Sequence, residues 1–160
     1  MKVIKSALTT LFALVVALVM ASPASAVAAK FHSVSASVSN SGALVVSFDE
    51  RGLGNGNIDY TLAADSSAVY ACINGGGNHP QAANKETVNG DVSAAGSFES
   101  RNGRVQASLS AGPISAGSFT CPGGQRLVLA AVTYSNIVLT DTTNGTSVSV
   151  NSITRVFFAV

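Results

Sequence analysis

Two histidines, two cysteines and eight acidic residues hold most of what this chain of 160 residues has for chemistry. A nucleophile-and-base site would draw on His79 with a serine and Asp65 or Asp91. No serine sits in a Gly-x-Ser-x-Gly elbow, and nothing in the spacing fixes the geometry of a triad. Paired-carboxylate chemistry has Asp49, Glu50, Asp59 and Glu99 as candidates. A glycosidase usually adds aromatic sugar platforms, and here there are three tyrosines, Tyr60, Tyr70 and Tyr134, and no tryptophan. Asn55, Asn57 and Asp59, with Asp49 and Glu50 nearby, offer the hard oxygens that Ca²⁺ takes, but without the glycine and terminal bidentate glutamate of a calcium loop. That stretch reads as a solvated turn. His32 and His79 are too few for a zinc site of three or four protein ligands once the cysteines are paired. The expectation is therefore no catalytic residue, no metal and no cofactor.

Three other motifs reduce to structure. Gly52-x-Gly54-x-Gly56 resembles a phosphate cradle, which needs a following helix, whereas Ile58 to Leu62 reads as a strand. Lys85 beside Asn84 and Glu86 suggests an intramolecular crosslink, which requires a buried lysine; after a polar loop Lys85 reads as a surface charge. Glu50-Arg51 reads as a structural ion pair in preference to a polar contact point. Asn144-Gly145-Thr146 is the single glycosylation sequon.

The segment from Asn74 to Lys85, with Gly75, Gly76 and Gly77 followed by Asn78, His79, Pro80 and Gln81, has no strand pattern. Connections of about a dozen unpatterned residues are uncommon and often functional. Asn74, Asn78, His79, Gln81, Asn84 and Lys85 are accordingly the candidate binding residues, on a loop whose base Cys72 would tether.

The elements that must hold this loop are strands. Ser33, Ser35, Ser37 and Ser39 interleave with Val34, Ala36 and Val38, the alternation of a half-buried strand. Further runs are Ala43 to Phe48, Ile58 to Ala64, Val69 to Ile73, Thr87 to Val92, Arg104 to Leu109, Gln125 to Thr133, Tyr134 to Leu139, Thr146 to Val150 and Ile153 to Phe158. Leu127 to Val132 is continuously apolar, which predicts a central strand buried on both faces. Turn chemistry punctuates these runs at Asn40-Ser41-Gly42, Gly52 to Gly56, Asn89-Gly90, Asn102-Gly103 and Asn144-Gly145, where Asn-Gly supplies the positive φ of tight hairpins. No sustained helical period follows residue 26. The fold class is all-β, an antiparallel sandwich.

Lys2 and Lys5, the apolar run Ala7 to Met20, and Pro23 ahead of Ala24-Ser25-Ala26 are the parts of a secretory signal peptide. The run is too short to span a bilayer. Removing 1–26 leaves one domain, residues 27–160, with no membrane span. The formal charge of +1 counts Lys2 and Lys5. Without them seven basic residues face eight acidic ones, about −1, so there is no global electrostatic footprint for nucleic acid. In an extracellular compartment the even cysteine count reads as a Cys72–Cys121 disulfide. The expected partner is an extracellular protein or a surface glycan, met by a monomer. The terminus Val156 to Val160 is apolar enough to pair at an open sheet edge instead.

Asp65 to Cys72 resembles the stretch before the second cysteine of immunoglobulin domains, with Tyr70 two residues ahead of the cysteine. The acidic residue is displaced, tryptophan is absent and Cys72 is the first cysteine, so the expectation is an immunoglobulin-like shape, not a true immunoglobulin domain. Tyr70 itself reads as a packed core residue or a corner hydrogen-bond donor. Phe48 to Gly54, Tyr70-Ala71-Cys72, Asn84-Lys85 and Cys121-Pro122-Gly123-Gly124-Gln125 together resemble a group of small secreted, uncharacterised β-proteins, mainly actinobacterial. The resemblance covers roughly residues 43 to 150. It implies secretion, one disulfide and an all-β fold, and no activity.

Overall fold

The computed structural model describes residues 28–75 and 84–160. The proposed signal peptide and most of the Asn74 to Lys85 loop, including Asn78, His79 and Gln81, lie outside them. Eight strands run through the described residues: β1 (Lys30–Val38), β2 (Leu44–Arg51), β3 (Gly56–Asn74), β4 (Lys85–Ser100), β5 (Arg104–Ala111), β6 (Gln125–Asp141), β7 (Thr146–Val150) and β8 (Ile153–Val156). They form two antiparallel sheets, one ordered β1-β2-β5 and one ordered β4-β3-β6-β7, with β8 paired on β6 beyond β7. Adjacency of the first, second and fifth strands against the third, sixth and seventh is the strand arrangement of immunoglobulin-like sandwiches. The fourth strand here lies beside the third.

The sheets close on alternate apolar residues: Leu44, Val46 and Phe48 from β2, Val105 and Leu109 from β5, and Ile58, Tyr60, Leu62 and Ala64 from β3. Phe31, Phe48, Tyr60 and Phe98 meet at one end, with Phe48 and Tyr60 ring centroids 4.6 Å apart. Such ring pairs add directional stabilisation to area burial.

Several sequence boundaries merge. Ile58 to Ala64 and Val69 to Ile73 are one strand, because Asp65-Ser66-Ser67 keeps the alternation: Ser66 points inward and is buried while Asp65 faces solvent. Asn89-Gly90 is not a turn. It lies within β4 opposite Ser67 and Ser66, since the pairing partner continues past it on both sides. Gln125 to Thr133 and Tyr134 to Leu139 also form one strand, β6. Its register against β3 slips between Ala63 and Asp65, where Asn136 adopts a φ of 50°. This bulge moves the inward set from Val132 and Tyr134 to Ile137 and Leu139, so both halves keep their apolar residues in the core. A period break that reads as a strand end is thus a bulge.

The run Leu127 to Val132 is central but not buried throughout, since Leu127 is 42% exposed. Its outer face is covered further along by the chain terminus. Phe157 and Phe158 donate their backbone N–H to the Ala130 carbonyl at 2.8 and 3.1 Å, and Phe158 and Val160 pack with Val69, Ala71, Val128 and Ala130. Val156 ends β8, which pairs with β6 on the same side as β7, so this part of the terminus forms a short edge of the sheet. Arg155 ties this side to the other sheet, donating to the Val38 carbonyl at 2.6 Å and to Asn40 at 2.8 Å.

Candidate functional site

Cys72 and Cys121 form a disulfide, with Cα atoms 5.5 Å apart. It ties the end of β3 to the long connection between β5 and β6. Tyr70 fixes the same connection, its hydroxyl donating to the Ile114 carbonyl at 2.7 Å. The Cys72 N–H donates to the Asn84 carbonyl at 3.0 Å. Asn74, Asn84 and Lys85 therefore stand exposed at the two roots of a loop whose frame is doubly fixed. Among the described residues these three are the loop candidates that the fold positions together.

The opposite end of the sandwich carries a site that the sequence reading did not assemble. The pairing register sets Lys30 opposite Arg51 and Arg51 opposite Arg104, a row of three cations across β1, β2 and β5. Directly opposed like charges repel. Asp49, two residues before Arg51 on the same outer face, separates two of them. Arg104 donates Nε and Nη2 to its two carboxylate oxygens at 2.8 and 2.7 Å, and Arg51 Nη2 donates at 3.0 Å. The two guanidiniums hold the Asp49 carboxyl far below the ordinary carboxylate range, with Arg104 the larger influence. Their planes also cover it: Asp49 is 8% exposed, while Arg51 and Arg104 remain 49% and 41% exposed. Two cations share one anion, and Lys30 adds a third positive charge.

Two clefts flank this row. One of about 610 Å³ is lined by Arg51, Gly52, Leu53, Gly54, Asn102, Gly103 and Arg104. The other, about 330 Å³, is lined by Ala28, Lys30, Phe31, His32, Arg51 and Gly52. Arg51 and Gly52 border both. The larger cleft exists because the loop after β2 docks on the β4–β5 turn: the Leu53 N–H donates to the Gly103 carbonyl at 3.1 Å. That turn needs Asn102 and Gly103 at φ of 53° and 73°, as Asn-Gly predicts, and a Cβ on Gly103 would meet the Leu53 carbonyl oxygen at 3.1 Å.

Searches against protein-family models, curated proteins and solved structures found no match. Chemistry at this end must therefore be read from the residues alone.

The proposed Glu50–Arg51 ion pair is not formed. Consecutive strand residues point to opposite faces, so Arg51 joins Asp49 outside while Glu50 turns into the core and is fully buried. The same alternation separates Asp49 from Glu50 as a carboxylate pair. Glu99 pairs with Arg101 through one oxygen, Oε2 accepting from Nε and Nη2 at 3.1 and 2.9 Å. Asp59 lies exposed on β3, its backbone tied to Thr142 and Thr143. His32 sits in the β1 irregularity between Phe31 and Ser33, exposed beside Lys30.

Glu50 faces Tyr60 and Asp141 inside the core. Neither carboxyl oxygen, nor the Tyr60 hydroxyl, reaches a hydrogen-bond partner. Burial pushes the Glu50 carboxyl up, the nearby Tyr60 hydroxyl draws it partly back, and the Asp141 charge adds a smaller upward push. Burial and then Glu50 push the Tyr60 phenol up. Asp141 is satisfied locally, accepting from the Thr143 and Asn144 N–H at 2.8 and 2.9 Å and from Asn144 Nδ2 at 2.6 Å. It shapes the β6–β7 turn.

Proposed function

We propose that the protein is a secreted, non-catalytic β-sandwich that binds an extracellular partner, and that the described binding site takes an anionic group of a surface glycan. The carrying observation is the register that puts Lys30, Arg51 and Arg104 in one row, with Asp49 shared by the two arginines, between two clefts. Arg51 and Arg104 each keep Nη1 directed away from Asp49, and a guanidinium suits the paired oxygens of a carboxylate or sulfate. Asn102 and Gly54, both exposed in the larger cleft, supply the neutral polar contacts that sugar hydroxyls use. Secretion is supported by the signal-peptide pattern of 1–26 and by the disulfide, which persists in oxidising compartments. The tethered loop from Asn74 to Lys85 is a second contact at the far end.

The test is calorimetric titration of residues 27–160 with dextran sulfate, polygalacturonate and neutral dextran at low and at moderate salt. Binding to the charged polymers, weakened by salt and lost in Arg51→Gln/Arg104→Gln while neutral dextran stays silent, is the expected result. Equal binding by the double variant would remove the site, and binding lost only on deleting residues 76–83 would move recognition to the loop. Acidic peptide binding without polysaccharide binding would overturn the glycan assignment.

A further inference from the structure

The five-stranded sheet ends on β4, which pairs with β3 from Lys85 to Gly56's partner Ser100 without a register shift. The far edge of that sheet is otherwise: β7 and β8 are short and are drawn to β1 by Arg155. β4 is 16 residues long, contains no proline, and among the described residues has no strand on its outer side. Ile114 and Leu109 approach its inner face beneath Gly90 and Gly96, which covers the face and leaves the edge. Among the described residues, no strand pairs with the alternate backbone N–H and C=O groups on that side. Soluble proteins blunt such edges with bulges, proline or charged side chains, lysine above all; β4 has no bulge and no proline, its one lysine is its first residue, and Asp91 is the single charge near its centre.

We propose that β4 pairs antiparallel with β4 of a second copy of this chain, about a two-fold axis at Val92. The register follows from two constraints. Even-numbered residues of β4 face inward and odd-numbered ones outward. A two-fold perpendicular to the sheet keeps each face on its own side, so directly opposed residues share parity and the axis falls on a residue, not between two. Charge then selects among the central positions. An axis at Asp91 opposes that aspartate to its own copy. An axis at Ser93 sets Lys85 against Arg101 of the second copy. An axis at Val92 sets Lys85 against Glu99 of the second copy, twice by symmetry, on the outer face. More distant centres shorten the overlap. Glu99 is free to accept this lysine, because Arg101 uses only Oε2 and the Glu99 side chain is 61% exposed. The paired strands run from Lys85 through Glu99, and the inner faces of Val88, Val92 and Ala94 continue from one copy into the next. The arrangement also brings the loop root of one copy beside the cationic end of the other, so a dimer would present both contact surfaces on each flank. It stands independently of the glycan reading.

Sedimentation velocity over a concentration series of the disulfide-intact protein tests the pairing. A monomer–dimer equilibrium is expected, with Lys85→Glu and Glu99→Lys each raising the dissociation constant by roughly tenfold or more, since each change alters two symmetric pairs. The double variant Lys85→Glu/Glu99→Lys should return it towards the original value. A monomer at every concentration up to about 100 μM, on the order of ordinary weak association, would refute the pairing. A dimer indifferent to both single reversals, or weakened further by the double one, would refute this register. An independent check mixes Asp91→Cys with Ser93→Cys chains: crosslinking of the mixture in preference to either chain alone supports the Val92 axis, and the reverse counts against it.

Discussion

Glu50 is the residue whose replacement most directly tests the packing of the sandwich. Its carboxyl is fully buried between the sheets, both oxygens lack partners, and it faces the Tyr60 hydroxyl and Asp141. Burial raises its affinity for a proton, so over the interval from the ordinary value near 4.5 up to its folded value the native state holds a proton that the unfolded chain has released. Stability therefore falls as pH rises through that interval, by at most about 1.4 kcal/mol per pH unit, and above it the full penalty is present. Glu50→Gln keeps the shape and removes the ionisation. The variant should gain on the wild type as pH rises above 5 and hold that gain once the folded carboxyl has ionised. Glu50→Leu also removes the unpartnered oxygens, each worth roughly 1–3 kcal/mol when buried unsatisfied, and should be the more stable of the two at pH 8. Urea unfolding at pH 5, 6, 7 and 8 measures both differences. A wild-type-to-Gln difference that is the same at pH 5 and pH 8 would refute a buried, proton-holding Glu50. Asp49 works in the opposite direction: its depressed pKa contributes stability present above about 3.8 and lost as pH falls below it, outside the interval that reports on Glu50.

Three further outcomes follow from named contacts. Cys72→Ser/Cys121→Ser opens a loop closed across 49 positions and should cost about 4 kcal/mol by chain entropy, measured by urea unfolding against the oxidised protein; a loss under about 1 kcal/mol would contradict the chain-entropy account of this bond. Gly103→Ala forces a side chain onto a φ of 73° and against the Leu53 carbonyl, so it should cost about 1–2 kcal/mol and weaken polyanion binding without touching a charge; unchanged melting and binding would contradict the docked turn. Tyr134→Phe deletes the 2.7 Å bond to the Gly42 carbonyl in the core and should destabilise by about 1–2 kcal/mol, read as a shifted urea midpoint at constant slope, whereas an unshifted midpoint would show that the carbonyl finds another donor.

How far the sequence discloses this molecule depends on whether a feature is written locally. Asn102-Gly103, Asn144-Gly145 and Asn40-Ser41-Gly42 announce their turns because positive φ is a property of two or three residues. Asn89-Gly90 has the same composition and no turn, because Ser66 and Ser67 opposite it continue the ladder, which only the partner strand reveals. The Cys72–Cys121 pairing is legible by arithmetic once the compartment is assumed. The inward face of β6 is not, since the bulge at Asn136 changes parity within one strand and imitates a strand end.

The cationic row shows why site residues are harder to read than folds. Lys30, Arg51 and Arg104 are separated by 21 and 53 positions, and the chain that carries them is close to neutral. No window or composition statistic brings them together. What joins them is register: the turn at Asn40 to Gly42 sets β1 on β2, and the alternation of Leu44, Val46 and Phe48 with polar neighbours commits β2 to one face. A slip of one residue would turn the whole set to the wrong side. The same alternation that drives Glu50 into the core leaves Arg51 outside beside Asp49, so one hydrophobic commitment creates both the buried core carboxyl and the surface charge row. Shifting it would undo the two together. The pH dependence of stability and the salt dependence of polyanion binding therefore rest on a single register, and a one-residue insertion within β2 should abolish both together; an insertion that left either one intact would break the account of β2 on which both depend.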